Sequence, residues 1–408
     1  MASEKKREKR IGYLWGMNYT DEHVALCALN KIFGYHPQLA LSLMEETGSA
    51  LALFDGRFSN EAPSSPEVLS TLIPQLVPSE LEWASKELER VRARGYRFIG
   101  LQDDDYPGVL REIPAPPIGL SLNASSSPTE VFGLRPMIGI VGTRDISPYG
   151  REWCRKLVET LASAGVQPAI VSGMAYGADA IAHRSALELG LTTIGVMPTG
   201  IDRIYPWQHE DLATEIARRP GCALVTDYPL GTAPVALNFL RRNRIIAALS
   251  SATLVVESKT KGGSLMTARY ANEYSREVFA IPGRMDDVRS AGCNSLIGQN
   301  MARIITSLEE LPGQLGLGAR VRGAGGSWHT GWTTARFRQH LENRFGAPSP
   351  AVPVGMAIRE NRGVTADDLA ALTGLGIGPV QEGIGLLEAD GIITTDLLRR
   401  CALAATYA

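Results

Sequence analysis

Residues 137–150 read MIGIVGTRDISPYG. Within them, Ile138–Val141 is a short apolar run with no polar alternation, the pattern of a strand buried on both faces. Gly142, Thr143 and Arg144 then turn the chain, and Ser147 and Gly150 open a helix that fits Tyr149–Ala164. The same unit recurs downstream. Strands are expected at Ala169–Val171, Thr193–Val196, Ala223–Val225, Thr253–Val256 and Val278–Ile281. Helices fit Ala178–Gly190, Gln208–Arg218, Asn238–Ser250 and Leu265–Tyr274. Buried strands alternating with helices define an α/β domain with a parallel sheet covered on both faces. About six strands are too few for an eight-stranded barrel, so an open, doubly wound, extended Rossmann-like sheet is expected over 129–310.

Outward from this core, 1–15 reads as a solvated basic tail. From Asp21 to Leu53 apolar residues recur at three and four, and Leu81, Ala84, Leu88 and Val91 form a stripe on a helix from Pro78 to Gly95. Residues 16–115 are therefore an N-terminal helical domain. Beyond the sheet, 311–350 reads as a Gly-rich linker and 351–408 as a small module. Thr365 can cap a helix there, Val380 to Leu387 mark another, and a strand follows Gly391. That is the element order of a winged-helix domain.

The 408 residues are 44% hydrophobic and 21% charged, as in a folded chain of two or three domains. Net charge is -2, so any polyanion site needs a local concentration of positive charge. Cys27, Cys154, Cys222, Cys293 and Cys401 lie far apart without a CxxC pair, which fits a reducing cytoplasm rather than a zinc or disulfide framework. No apolar stretch follows the basic N-terminus or approaches membrane-spanning length, so neither a secretory signal nor membrane insertion is expected.

Ligands of open α/β sheets bind beyond the carboxyl ends of the strands. There, Gly142, Thr143, Arg144 and Ser147 follow the first strand, and Ser172, Gly173 and Gly177 the second. Arg241, Arg242, Asn243 and Arg244 follow the fourth, and Lys261, Gly263, Ser264 and Thr267 the fifth. Between Ala236 and Arg269, six basic residues face one acid, Glu257, a local +5. Glycine turns at helix N-termini and Arg side chains suit phosphate. The arginine run sits near a helix N-terminus, where the macrodipole disfavours cations. Either acidic neighbours or a bound anion must compensate. Trp207 is a candidate for stacking on a base.

Catalytic readings find little support. No GxxxxGK[ST] or GxGxxG occurs, which argues against a P-loop or a nicotinamide site. Asp179 and His183 share a helix face, but an Asp that orients its own turn with His183 packed beside it explains them without chemistry. Asp103, Asp104 and Asp105 read as a solvated loop. No nucleophile has a credible base, so no catalytic residue, metal or cofactor is expected.

The assembled motifs resemble the DNA-processing protein A family (DprA, also Smf). They are Ile140–Arg144 with Ser147–Gly150, Val171–Asp179 with Ala182-His183, Gly200–Pro206, Phe239–Ile246, Gly263–Arg269, Phe279–Gly283 and Gly292–Ile297, preceded by Asp105–Pro107. The resemblance implies a Rossmann domain that binds single-stranded DNA without sequence preference, flanked by helical (SAM-like) and winged-helix domains. It also implies homodimerisation, no enzyme activity, and loading of the RecA recombinase on incoming DNA in natural transformation. By the same resemblance, Arg144 and the Arg-Asn-Arg segment would contact phosphates, while Ser172, Gly173, Gly177, Gly263 and Ser264 shape the pocket. Thr226-Asp227 departs from the family pattern, which has Ser-Glu there. The alternative is a nucleotide-binding protein of the related LOG group, either a nucleoside monophosphate phosphoribohydrolase or a signalling-nucleotide sensor.

Overall fold

The computed structural model describes residues 19–56, 70–133, 135–318, 334–361, 364–395 and 400–403. The basic tail at 1–15 and the Gly-rich stretch at 319–333 lie outside them. The chain divides into two compact units, one of residues 1–162 and 168–306, the other of 163–167 and 307–408.

The first unit starts with helices α1 (Asp21–Ile32), α2 (Pro37–Thr47) and α3 (Pro78–Ala93). Thr20 begins α1 with a capping box, its hydroxyl accepting from the His23 N–H. Leu26, Leu29, Leu43, Leu53 and Leu88 are buried where these helices meet. Each such side chain contributes about 1.5–3 kcal/mol on leaving water. In the loop read as solvated, Asp103 is half-buried and engaged: its carboxylate pairs with His23 Nε2 at 3.1 Å and accepts from the Gly100 N–H.

The sheet has nine strands. They are β1 (Arg97–Gly100), β2 (Gly119–Ala124), β3 (Met137–Val141), β4 (Ala169–Ser172), β5 (Thr193–Val196), β6 (Ala223–Thr226), β7 (Ala252–Val255), β8 (Glu277–Ala280) and β9 (Arg303–Ile304). Their order is β1-β2-β6-β5-β4-β3-β7-β8-β9, parallel from β6 to β9, with β1 and β2 antiparallel additions at one edge. Every residue of β3 to β7 is buried, as continuous apolar runs require. All six expected strands are present. The sheet also extends beyond the expected domain boundary, because β1 joins it from the region read as helical and β2 from the connection between the two expected domains.

The crossover helices are α4 (Pro148–Ala162), α5 (Ala178–Glu188), α6 (Glu210–Arg218), α7 (Ala236–Leu249) and α8 (Ser264–Glu273), followed by α9 (Ala291–Gly298). Helix α4 packs on α5, and α7 packs on α8. Strand order reverses at β3. The chain winds from β3 through β6 to one side, then returns through α7 to place β7 on β3's other flank. This reversal is the topological switch point, the usual ligand position of such sheets.

The second unit contains α10 (Thr334–Phe345), α11 (Ala351–Glu360), α12 (Ala366–Thr373) and α13 (Ile377–Ala389), with an antiparallel pair, β10 (Ile393–Thr395) and β11 (Cys401–Leu403). Phe337, Leu341, Val354, Leu369, Val380 and Leu387 share its core. Thr365 caps α12 as its sequence indicated, accepting from the Asp368 N–H. Helix α10 falls inside the segment read as linker. Its Phe337 and Leu341 are fully buried, so this part of the segment is packed structure. Among the described residues, no helix is long and apolar enough to cross a membrane.

Candidate nucleic-acid interface

The strand-end residues divide into an exposed rim and a buried scaffold. Arg144, in the loop after β3, is exposed, and its guanidinium lies 4.7 Å over the Phe239 ring at the start of α7. Phe239 in turn meets Tyr205 edge to face at 5.5 Å. Next to Arg144, the Asp145 carboxylate gathers Lys259 at 3.8 Å and Arg289 at 3.3 Å. Lys261 and Gly263 are exposed in the same β7–α8 loop as Lys259. A group of cations thus runs into a pair of aromatic rings along one edge of the sheet. Trp207, two residues beyond Tyr205, is 73% exposed. A cation over a ring contributes about 0.5–1 kcal/mol at exposed sites and holds the guanidinium ready for a further partner.

The arginine run points the other way. Arg242 is buried, and its Nη1 donates to the carbonyls of Gly173 and Val196. Gly173 permits this, because a Cβ there would lie 2.5 Å from Arg242 Nη1. Burial pushes the Arg242 guanidinium down to about 10, partly offset by Asp179, so it stays charged at neutral pH. Arg244 is buried as well, with Nη2 2.7 Å from Asp227 Oδ2 and Nη1 donating to the Ala115 carbonyl at 2.6 Å. Arg241 is half-buried between the rings of Tyr35 and Tyr228 and lies 3.3 Å from the same Asp227 oxygen. The acid that compensates the helix dipole is therefore Asp227, at the end of β6. Arg242 and Arg244 form a buried scaffold rather than the expected exposed phosphate contacts, with Arg242 Nε and Nη1 and both Arg244 Nη atoms on protein acceptors. Asn243 completes the scaffold, accepting from Arg242 Nε and donating to the Gly263 carbonyl, both at 3.2 Å.

Other expected site residues also face inward. Ser172 is buried and donates to the Ile140 carbonyl at 2.6 Å. Ser264 is buried and donates to Ser258 Oγ at 2.9 Å, and Thr267 is buried. Gly142, half-buried, lies in the turn between β3 and Thr143. Gly177 starts α5 at φ +74. The Thr143 N–H donates to the Glu257 carbonyl at 2.8 Å. Ser147 is held by Glu257, a buried acid just past β7: its N–H donates to Oε2 at 2.9 Å and its hydroxyl to Oε1. Reading along the chain missed Glu257, Asp227, Phe239, Tyr205 and Arg289. The motifs of the family resemblance contain Tyr205 and Phe239, and the arginine run's need for a counter-ion pointed to an acid.

Asp179 and His183 are both buried. Asp179 accepts from the Ala175 N–H at 3.2 Å, and burial raises its carboxyl against the pull of Arg242. His183 Nδ1 meets Thr193 Oγ1 at 2.7 Å while Nε2 has no partner, and burial lowers the imidazole to about 3. The folded state thus holds the ring neutral near pH 7. The unfolded chain binds the proton below about 6.5 whereas the folded chain does not until about 3, so stability falls as pH drops through that window. The expected slope from this group is up to about 1.4 kcal/mol per pH unit. Urea unfolding at pH 7, 5.5 and 4.5 should show it, and His183→Gln should flatten the acid limb.

The family described as DNA recombination-mediator protein A matches residues 97–316, which include all nine strands. Protein Smf of Synechocystis sp. is 36% identical over 325 residues, covering 76% of this chain and 80% of its own length. DNA processing protein DprA of Bacillus subtilis is 35% identical over 237 residues, 57% of this chain and 77% of its own. The X-ray structure of DprA from Streptococcus pneumoniae superposes with a TM-score of 0.59 at 30% identity, covering 72% of this chain and 98% of that one. Motif order, sheet topology and matched span agree, and the chain belongs to the DNA recombination-mediator protein A family, the DprA/Smf proteins.

Proposed function

We propose that this chain binds single-stranded DNA without sequence preference along the exposed rim, and mediates recombination by loading RecA on incoming DNA during natural transformation. The observation that carries the DNA reading is the unbroken path Lys259 and Arg289, Asp145, Arg144, Phe239, Tyr205. Backbone phosphates suit its cations, and any base offers a face to its rings, so recognition needs no sequence. Arg144, Lys259, Lys261, Arg289 and the open Gly263 turn take the phosphate contacts. Arg242 and Arg244 hold the platform. The protein works by binding rather than catalysis, since the hydroxyls of Ser147 and Ser172 are already committed to Glu257 and to the Ile140 carbonyl.

Homodimerisation, a cytoplasmic site of action and the RecA partnership belong to this reading through the family. In α13, Glu382 and Glu388 are the only charged residues, which favours protein over DNA as that module's partner. Fluorescence anisotropy with labelled oligo-dT across a salt series tests the DNA reading. With three to five phosphates contacted, the log–log slope is expected near roughly -2 to -3.5, with weaker binding of duplex. Flat or absent binding refutes the reading. Light scattering at micromolar concentration checks the dimer, which a monomeric mass would refute.

A further inference from the structure

The switch point between β3 and β7 is where an open α/β sheet ordinarily receives a phosphate, with the following helix offering free N–H groups. In this chain that position is already filled. Glu257, 1% exposed, directs its carboxylate at the start of α4, where it accepts from both the N–H and the hydroxyl of Ser147. The Ser147 hydroxyl in turn accepts from the Gly150 N–H at 3.0 Å. The turn is shaped around this acid, because a Cβ at residue 150 would collide with Glu257 Oε2. The nearby lysine does not neutralise it: Lys259 reaches outward to Asp145 and is exposed.

We infer that Glu257 is a specificity-determining residue, an internal anion that occupies the phosphate turn and closes it to mononucleotides. A mononucleotide depends on one deep phosphate anchor, and here it would meet a buried negative charge with the nearby donors already engaged. A polynucleotide distributes its charge over several shallow contacts, which the rim outside the turn supplies. The inference rests on reading this edge as a nucleic-acid surface, and names the ligand class that the surface refuses.

The test compares wild type with Glu257→Ala and Glu257→Ser, which empty the turn with an apolar and a polar lining respectively. Melting temperature and recovery of folded protein are read against inorganic phosphate and 5′-dTMP, at constant ionic strength set with chloride. Wild type should not respond. The variants should be stabilised saturably by phosphate, and should bind 5′-dTMP at least about tenfold more tightly than wild type, since a like charge has been removed. Variants that fold only in phosphate support the inference equally. Variants indifferent to both ligands, variants that fail equally in phosphate and chloride, or a wild type that binds 5′-dTMP as tightly as they do, overturn the inference. Wild-type binding to oligo-dT is measured in parallel. Its absence would strike the DNA reading, while the phosphate response of the variants still judges Glu257.

Discussion

Arg244→Ala is expected to destabilise the first unit by about 3–5 kcal/mol, the usual consequence of leaving a buried charge without its partner. For a domain of this size, that is a fall of about 10 °C in melting temperature. Arg244 is 4% exposed and joins three parts of the chain. Nη2 binds Asp227 at the end of β6, Nη1 binds the Ala115 carbonyl before β2, and the backbone belongs to α7. Asp227 extends the junction, since its carbonyl accepts from Asn30 Nδ2 of α1 at 2.8 Å. Removing the guanidinium leaves the Asp227 carboxylate with only Arg241, and orphans the Ala115 carbonyl. Asp227 Oδ1 and Arg244 Nε already lack partners, so the pair is imperfectly satisfied. Arg244→Met combined with Asp227→Asn should therefore recover much of the loss. Thermal and urea unfolding measure both. A variant of unchanged stability that no longer binds DNA would show instead that Arg244 contacts phosphate.

Arg144→Ala with Lys261→Ala should do the reverse. Two exposed cations leave the rim, so affinity for oligo-dT at about 0.1 M salt is expected to fall roughly ten- to fiftyfold. The log–log salt slope should flatten by about 1.4, near 0.7 for each single-strand phosphate that is no longer neutralised. Melting temperature should move by less than about 2 °C, because neither side chain fills the core. Phe239→Ala tests the rings separately: stacking accounts for about 1–3 kcal/mol per base and does not depend on counterion release, so affinity should drop at constant slope. If the double variant keeps the wild-type slope, the rim is not where phosphates bind.

These two experiments separate residues that sequence reading grouped together. Arg144 and Arg244 both look like phosphate ligands along the chain, each close to a strand end and to glycines or other arginines. The fold turns one outward over Phe239 and the other inward onto Asp227. The helix dipole beside the arginine run calls for either acidic neighbours or a bound anion, and the acid is present.

The six central strands and their crossover helices were legible because burial on both faces imposes continuous apolar runs, a property of neighbouring residues. Strands β1 and β2 were not, since they are short antiparallel additions on either side of Pro107, Pro114, Pro116 and Pro117, and only the pairing of β1 with β2 and of β2 with β6 makes them strands. Helix α10 was hidden beside a Gly-rich stretch, with its apolar face defined by the partners it packs on in the second unit. At the site, glycine turns and the local excess of positive charge could be read directly, and so could the family. Which arginines are available to a ligand, and that Glu257 occupies the phosphate turn, depended on segments 110, 129 and 144 residues apart meeting at the strand ends. Periodicity is local and survives in a linear string. The direction and partner of a charged side chain are set by what the rest of the chain places beside it, and only the tertiary structure decides that.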